Sequence, residues 1–154
     1  MSTQKILPPF NIRRCSVNQI IGLRQRILRP NMPLKKARFP KDTKGETFHV
    51  GIFTTDGTEQ VICCASFMAE RLAKEVAWKM RGMATATEYE HRGLGRKLLE
   101  WSENAIRLKS ESRLLWCNAR LSAIGFYRKM GWDIVSLQFN IPGVGPHHRM
   151  MKRL

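Results

Sequence analysis

The sequence has 154 residues, of which 43% are hydrophobic and 25% charged, a composition that fits one folded domain with a single core. Its 27 Lys and Arg against 12 Asp and Glu give a net charge of +15, which attracts nucleic acid, an anionic membrane, an acidic protein or a phosphate-rich cofactor, although a solvated basic surface explains it equally well. No apolar run is long enough to span a membrane and the N-terminus lacks the apolar region of a signal peptide, so we expect a cytoplasmic protein with no membrane partner.

The first predicted elements are a strand, a helix and a long basic loop. Residues 11–16 are predicted to form a short strand. In Val17–Leu28 the apolar residues group on one helical face, with Arg24 and Arg26 outside it. Residues 29–45 are basic and contain several prolines, which predicts a loop with at most a short helix. A loop of this length is either the wall of a binding site or a disordered connection.

Three apolar runs follow, and each is typical of a strand. They are Phe48–Thr54, residues 60–67 and residues 76–83. Asp56 and Gly57 favour a tight turn between the first two runs. An antiparallel meander is therefore the simplest arrangement.

The hydrophobic spacing then becomes helical. From Gly93 to about Ser110 the apolar residues recur at the period of a helix, and residues 113–118 form a short apolar run that indicates a buried strand. A second, short helix follows, with Ser122 as its expected cap and Gly131 as its expected end.

The last two predicted strands are residues 133–141 and 148–154, with a turn between them. The strand–helix–strand unit in the middle of the chain requires a parallel pair joined by a right-handed crossover. We therefore predict one α/β domain over residues 1–154. Its mixed sheet has six or seven strands, mostly antiparallel, with one parallel β-α-β unit and about four helices.

The cysteines suggest neither disulfides nor a metal site. Cys63 and Cys64 are adjacent, and Cys15 and Cys117 stand alone, so no disulfide framework or CxxC pair is present. We expect reduced, buried thiols and no bound metal.

The segment Gly93-Leu94-Gly95 lies between a predicted strand and the first turn of a helix. Glycines there let the backbone approach a ligand, and a helix N-terminus provides unpaired N–H donors that suit a pyrophosphate. His91, Arg92 and Arg96 add side-chain donors nearby. The sequence lacks GxxxxGK[ST], which excludes a nucleotide-triphosphate P-loop, and it lacks the third glycine of a dinucleotide fingerprint. On its own, a tight strand-to-helix turn explains the two glycines about as often as a phosphate site does.

A second segment, NARLSAIGFYRKMGW (residues 118–132), places Tyr127 on the short helix that follows the neighbouring parallel strand. Parallel strands followed by helices form a crevice at their carboxyl ends, where open α/β sheets bind ligands. We expect Tyr127 to lie near that crevice.

Together the two segments resemble the GNAT superfamily of acetyl-coenzyme-A-dependent N-acetyltransferases. The cofactor motif [Q/R]-x-x-G-x-[G/A] of that superfamily is similar to the run from Glu90 to Gly95, and FYRKMGW resembles its F-Y-x-K-x-G-[F/W] segment. The resemblance is best over residues 77–132, and the two ends of the chain look similar to a small, bacterial-type branch. Glu90 departs from the motif, which has Gln or Arg at this position. The resemblance therefore places an acid beside an anionic cofactor.

The resemblance implies roles for specific residues. The backbone of Met83, Ala84 and Thr85 would bind the pantetheine arm of acetyl-coenzyme A (acetyl-CoA), and an N–H there could stabilise the oxyanion formed during transfer. His91, Arg92, Gly93, Leu94, Gly95 and Arg96 would surround the pyrophosphate. A neutral amine would attack the thioester directly, with Tyr127 as the general acid for the leaving thiolate. Asn118 would hydrogen-bond the arm or an ordered water, or else cap its strand.

Three points stay open. The general base could be Glu70, Glu75, His147 or His148, each acting through water. The acceptor could be a small-molecule or peptide amine, bound by residues 29–45 and the last hairpin. The protein could be a monomer or a homodimer.

Other functions compete with this prediction. The positive charge also fits a nucleic-acid-binding module, but no nucleic-acid-binding motif is present. An acetyltransferase for an RNA-linked amine such as aminoacyl-tRNA and a catalytically silent coenzyme A (CoA)-binding protein are the remaining alternatives.

Overall fold

A computed structural model describes residues 5–154. The N-terminal half contains four strands and one helix in the predicted order. They are β1 (Phe10–Cys15), α1 (Val17–Leu28), β2 (Phe48–Thr54), β3 (Val61–Ala69) and β4 (Trp78–Thr85).

The C-terminal half contains two helices and four strands. They are α2 (Leu94–Lys109), β5 (Leu114–Arg120), α3 (Ile124–Lys129), β6 (Asp133–Ile134), β7 (Phe139–Ile141) and β8 (Gly145–Arg153). Three short 3₁₀ turns connect these elements, at Leu34–Ala37, Thr87–Tyr89 and Leu121–Ala123.

The strands form one sheet in the order β1-β2-β3-β4-β5-β8-β6, with β7 also paired to β8. Every pairing is antiparallel except that of β4 with β5, which is parallel. The predicted mixed sheet and its parallel β-α-β unit are therefore confirmed. The described residues contain eight strands, three α-helices and three 3₁₀ turns, against the expected six or seven strands and about four helices.

The additional strand arises because the predicted strand 133–141 is divided into β6 and β7. Ile134 pairs with Met150 and Phe139 pairs with His147, so four residues (135–138) face two on β8. The hydroxyl of Ser136 accepts the backbone N–H of Arg149 at 2.8 Å, in the place of a ladder bond. The strand is thereby interrupted without leaving the sheet.

The helix α1 has the predicted bounds, but one of its residues was assigned to the wrong face. Ile20 and Leu23 are buried as expected, whereas Arg24 is fully buried and not outside. Arg24 Nη1 donates to Asp42 Oδ2 at 2.7 Å, and Arg24 Nη2 donates to Ser66 Oγ at 2.6 Å. The long side chain is buried because a carboxylate and a hydroxyl satisfy it.

The same contacts fix the segment 29–45. His49 joins the cluster, with Nδ1 2.6 Å from Ser66 Oγ and Nε2 2.9 Å from the Asp42 carbonyl oxygen. Asp42 Oδ2 also accepts the backbone N–H of Phe39 at 2.7 Å. The segment is therefore ordered and packed on the sheet, and it is not a disordered connection.

The start of α3 differs from the prediction. Ser122 is exposed and lies within the 3₁₀ turn Leu121–Ala123, and the residue that precedes α3 is Ala123. Ser122 therefore does not cap the helix. The turn continues directly into α3, which leaves no extended residue for a capping side chain.

The cysteines are free thiols, and Cys63, Cys64 and Cys117 are buried in the core. Burial raises the pKa of Cys63 to about 11 and that of Cys117 to about 12. The thiols thus remain protonated at neutral pH. Within residues 5–154, no helix is both long and apolar enough to cross a membrane.

Candidate active site

The parallel strands β4 and β5 separate soon after they begin. They pair only at Trp78 with Leu115 and at Lys79 with Trp116. Beyond these pairs the strands diverge towards their carboxyl ends, while β5 stays paired along its length with β8. The result is an open wedge at the predicted crevice.

A bulge in β4 accompanies the divergence. Cys64 pairs with Ala84 and Ser66 pairs with Arg81, so two residues of β4, Gly82 and Met83, face one residue of β3. Gly82 has a φ of +66°, and an added Cβ there would lie 2.6 Å from Arg24 Nε. A bulge bends its strand, and only glycine fits this position beside the buried arginine.

Two cavities open into the wedge. The first, with a volume of about 390 Å³, is named the glycine-loop cavity after residues 90–95. Its lining from the end of β4, the loop that follows, the start of α2 and α3 includes Met83, Ala84, Thr85, Tyr89, Glu90, His91, Gly93, Leu94, Gly95, Arg96 and Tyr127. Nine of the predicted site residues are thus brought together.

Two predicted site residues do not line this cavity. Arg92 donates to the carbonyl oxygen of Lys5 at 2.8 Å, which directs the guanidinium towards the N-terminal segment. Asn118 lines the second cavity, where its Oδ1 accepts from Arg149 Nε at 3.3 Å.

The backbone at the start of α2 has the geometry of an anion cradle. His91 and Gly93 have φ values of +60° and +78°, which turn the chain sharply just before the helix. A Cβ added to Gly95 would lie 2.9 Å from Met83 Cε and 3.1 Å from Phe126 Cζ, so a larger residue would fill the space above the first turn. The N–H groups of that turn have no partner within the helix and favour an anion. These residues fit the pyrophosphate of a CoA.

Tyr127 lies between the two cavities and lines both. Its hydroxyl donates to Met83 Sδ at 3.5 Å, across the wedge from β4. Burial raises the pKa of the phenol well above its ordinary value, and the neighbouring Cys117 and Cys63 thiols add to this effect. The hydroxyl therefore keeps its proton at neutral pH.

The second cavity, with a volume of about 280 Å³, lies on the other side of Tyr127 and is named the arginine cavity. Its walls are the end of α1 with Phe39, residues 79–83 of β4, residues 117–120 of β5 and the β7–β8 hairpin. Its ionisable side chains other than Tyr127 and Cys117 are Arg29, Lys79, Arg81, Arg120 and His147.

The structure separates the four candidates for a general base. Glu75 pairs with Arg153 at 2.7 Å, Glu70 pairs with Lys41 and Lys79, and neither carboxylate lines either of these two cavities. His148 Nδ1 lies 3.1 Å from the carbonyl oxygen of Ser136.

His147 alone among these candidates lines the arginine cavity. Its Nδ1 lies 2.7 Å from the Gly145 carbonyl oxygen. Since a carbonyl only accepts, Nδ1 carries the hydrogen and Nε2 has a free lone pair in the neutral ring.

Sequence reasoning missed several residues of this site. Arg81 lies on a predicted strand at a position that alternation does not distinguish from a solvated face, and Arg120 lies two residues beyond the predicted strand 113–118, in a part of β5 that was not predicted. Phe126 was treated as part of a motif, yet it limits the space at Gly95. The signal that could have found the arginines is their place at the carboxyl ends of the parallel strands.

Comparison with known proteins identifies the family of the chain. Residues 46–134 match the family model of the acetyltransferase (GNAT) domain, which is more than half of the chain. The chain is also 35% identical over 148 residues to the uncharacterised N-acetyltransferase YitI of Bacillus subtilis (strain 168), covering 94% of this chain and 97% of the relative. The chain belongs to the GNAT family.

Solved structures share the fold of this GNAT acetyltransferase at low sequence identity. ElaA of Escherichia coli superposes with a TM-score of 0.74 at 13% identity, covering 96% of this chain and all of the other (100%). An aminoglycoside 6'-N-acetyltransferase complexed with coenzyme A superposes with a TM-score of 0.66 at 11% identity, covering 93% and 96%.

The GNAT match covers the glycine loop and the wedge but not the whole arginine cavity. It ends at Ile134, before the β7–β8 hairpin, and it starts after α1 and the segment 29–45. To the arginine cavity, α1 provides Ile27 and Leu28, the segment 29–45 provides Arg29 and Phe39, and the hairpin provides His147.

Proposed function

We propose that this GNAT acetyltransferase transfers an acetyl group from acetyl-CoA to a primary amine by direct attack. The observation that carries the proposal is the arrangement of two cavities on either side of Tyr127 in the wedge. One cavity has the backbone geometry for a pyrophosphate, and the other has room for an acceptor. The CoA bound to an aminoglycoside N-acetyltransferase of the same fold supports the choice of donor.

The cofactor arm is assigned to the edge of β4 beyond Lys79. There β4 faces the wedge and not β5, so the backbone groups of Met83, Ala84 and Thr85 are available to amides of a pantetheine arm. The exposed edge would bind the arm as a strand is bound by a sheet.

The pyrophosphate is assigned to the glycine loop. Backbone N–H groups at Gly93, Gly95 and Arg96 would bind the phosphate oxygens, with the partial positive charge at the start of α2. Glu90 also lines this cavity. Because the donors are backbone groups, the acidic side chain reduces binding without abolishing the site.

Tyr127 is assigned as the general acid. Acetyl-CoA supplies the acetyl group as a thioester, and its sulfur needs a proton as the bond breaks. The phenol of Tyr127 holds its proton because burial raises its pKa. Its contact with Met83 Sδ points the hydroxyl across the wedge, where the sulfur of the bound arm would lie.

His147 is assigned as the general base. The hydrogen bond from Nδ1 to the Gly145 carbonyl leaves Nε2 free to accept a proton from the acceptor ammonium, directly or through water. The position of His147 in the arginine cavity, on the acceptor side of Tyr127, supports this role.

The test is thiol release from acetyl-CoA by the purified protein with a panel of primary amines, together with mass spectrometry of the products. We expect acetylated amine and free CoA in equal amounts. Calorimetric binding of acetyl-CoA without transfer to any amine would instead identify a silent CoA-binding protein. Absence of acetyl-CoA binding would contradict the whole assignment.

A further inference from the structure

The arginine cavity has a positive charge that the protein does not neutralise. Its lining includes Arg29, Lys79, Arg81 and Arg120, and no Asp or Glu belongs to it. Lys79 pairs with Glu70 at 3.3 Å. Within residues 5–154, none of the three arginines forms an ion pair with a carboxylate. The three arginines of the cavity therefore have no carboxylate paired directly with them.

The three arginines are partly buried and close enough to repel one another. Burial lowers the pKa of Arg81, and the charges of Arg24 and Arg29 act in the same direction, whereas the carboxylates Glu70 and Asp42 act in the opposite one. Burial also lowers the pKa of Arg120, again with Arg29 as the neighbouring charge. Burying like charges together is unfavourable for folding. A bound anion would compensate this arrangement.

The guanidinium groups are held in place with donors to spare. Arg81 lies over the ring of Phe39 at 4.0 Å, and Arg120 Nη2 donates to the carbonyl oxygen of Leu28 at 2.6 Å. The backbone N–H of Arg29 donates to the carbonyl oxygen of Gln25 at 2.9 Å, but among the described residues no hydrogen bond uses the guanidinium N–H groups of Arg29 or Arg81. A planar guanidinium with free donors matches a carboxylate or a phosphate through two parallel hydrogen bonds.

We propose that the arginine cavity binds an acceptor amine that also carries an anionic group, a carboxylate or a phosphate. Arg29, Arg81 and Arg120 hold the anion, and the amine lies towards Tyr127. This proposal rests on the acetyltransferase function proposed above. The volume of about 280 Å³ suits a small molecule.

The cations also favour the reactive form of the acceptor. A positive surrounding lowers the pKa of a bound ammonium, so more of the amine is neutral and able to attack. For the same reason an acceptor with additional positive charges, such as a polyamine or an aminoglycoside, is disfavoured.

The first experiment compares matched acceptors with acetyl-CoA as donor. The pairs are β-alanine with β-alaninamide and O-phosphoethanolamine with ethanolamine, and cadaverine serves as a dication. We expect kcat/KM to be about ten to a hundred times higher for the anionic member of the preferred pair, the range of one charged hydrogen bond. Preference within the first pair identifies a carboxylate, and preference within the second identifies a phosphate.

Substitutions then test which side chains cause the preference for the anionic amine. Arg81→Gln and Arg120→Gln are expected to remove the preference by raising KM for the anionic amine, whereas Arg81→Lys retains part of it. Arg26→Gln is the control, because Arg26 is exposed on α1 and loses the same charge outside the cavity. The affinity for acetyl-CoA should be unchanged in all four variants. Weaker acetyl-CoA binding would overturn the proposal, since the arginines would then serve the donor.

The remaining outcomes separate this proposal from the proposed function. Equal or faster acetylation of neutral or dicationic amines overturns the anion site and leaves the acetyltransferase intact. A preference confined to aminoacyl-RNA and weakened equally by Arg26→Gln also overturns it, in favour of recognition by the whole basic surface. If no amine is acetylated, calorimetry with O-phosphoethanolamine and ethanolamine decides. The site is supported if O-phosphoethanolamine binds more tightly than ethanolamine and Arg81→Gln abolishes this difference. Equal binding of the two amines overturns it.

Discussion

One contact and the surrounding core determine the position and the protonation of the Tyr127 hydroxyl. The contact is with Met83 Sδ across the wedge, and the environment is the core around Cys63 and Cys117. Burial opposes ionisation of a phenol, so the same surroundings that fix the ring also preserve the proton. A general acid needs both properties, a fixed position and a retained proton.

Tyr127→Phe is therefore expected to lower kcat by about a hundredfold or more, the usual contribution of a general acid, with little change in the affinity for acetyl-CoA. Steady-state rates and calorimetry measure the two quantities. Tyr89→Phe is the matched control, because it removes the other tyrosine hydroxyl in the glycine-loop cavity and should reduce kcat far less. Equal kcat in Tyr127→Phe and wild type would remove the residue as the acid.

Gly95 carries the second prediction at this scale. A side chain at Gly95 would meet Met83 Cε and Phe126 Cζ, and a carboxylate there would face the phosphates of a bound cofactor. Gly95→Glu should weaken acetyl-CoA binding by about a hundredfold or more, since opposed like charges cost several kcal/mol. The control is Gly22→Glu, at an exposed glycine of α1 with open space around it. Normal affinity in Gly95→Glu would exclude the glycine loop as the cofactor site.

At the scale of elements, the segment 29–45 is attached to the sheet through a buried ion pair. Arg24 on α1 bonds Asp42 of the segment and Ser66 of β3, so one side chain joins three elements. The attachment holds Phe39 over Arg24 and Arg81, at the wall of the arginine cavity. If the proposed acceptor site is correct, stability and acceptor binding depend on the same contacts.

Asp42→Ala is expected to lower the free energy of unfolding by about 3–5 kcal/mol, because it leaves the Arg24 guanidinium buried without its partner. Urea denaturation measures the change. Asp133→Ala, at an exposed position on β6, is the control and should have an effect near zero. A small effect of Asp42→Ala would mean that water or another group replaces the carboxylate.

His49 makes this cluster sensitive to acid. Burial lowers its pKa from the ordinary value of 6.5, although Asp42 acts in the opposite direction and Arg24 in the same one. The unfolded chain therefore binds a proton at His49 more readily than the folded chain does. This stability is complete above about pH 6.5 and is lost as the pH falls through that value towards the folded pKa.

Urea denaturation between pH 5 and 8 tests this dependence. His49→Gln should be less stable than wild type at pH 8, and its stability should change less as the pH is lowered. Parallel curves for the two proteins would assign the acid sensitivity to other groups.

At the scale of the whole molecule, the sequence predicted most of the fold and nine residues that line the glycine-loop cavity, but not the arginines of the second cavity. The bounds of α1 and β2 and the parallel unit follow from hydrophobic periodicity and from glycines and prolines, which act locally. The burial of Arg24 does not, because it depends on Asp42 and Ser66, which are distant in sequence. The bulge at Gly82 and the cluster of arginines likewise arise from strand pairing and not from any local pattern.

The two residue pairs between β4 and β5 have a consequence for the dynamics of the protein. They are the only backbone ladder that connects β1–β4 with β5–β8 in the described chain. The backbone link between the two halves of the sheet is therefore short, and we expect amide hydrogen exchange to protect the two halves to different extents. A donor bound across the wedge would contact both halves, so we expect it to reduce this difference in protection.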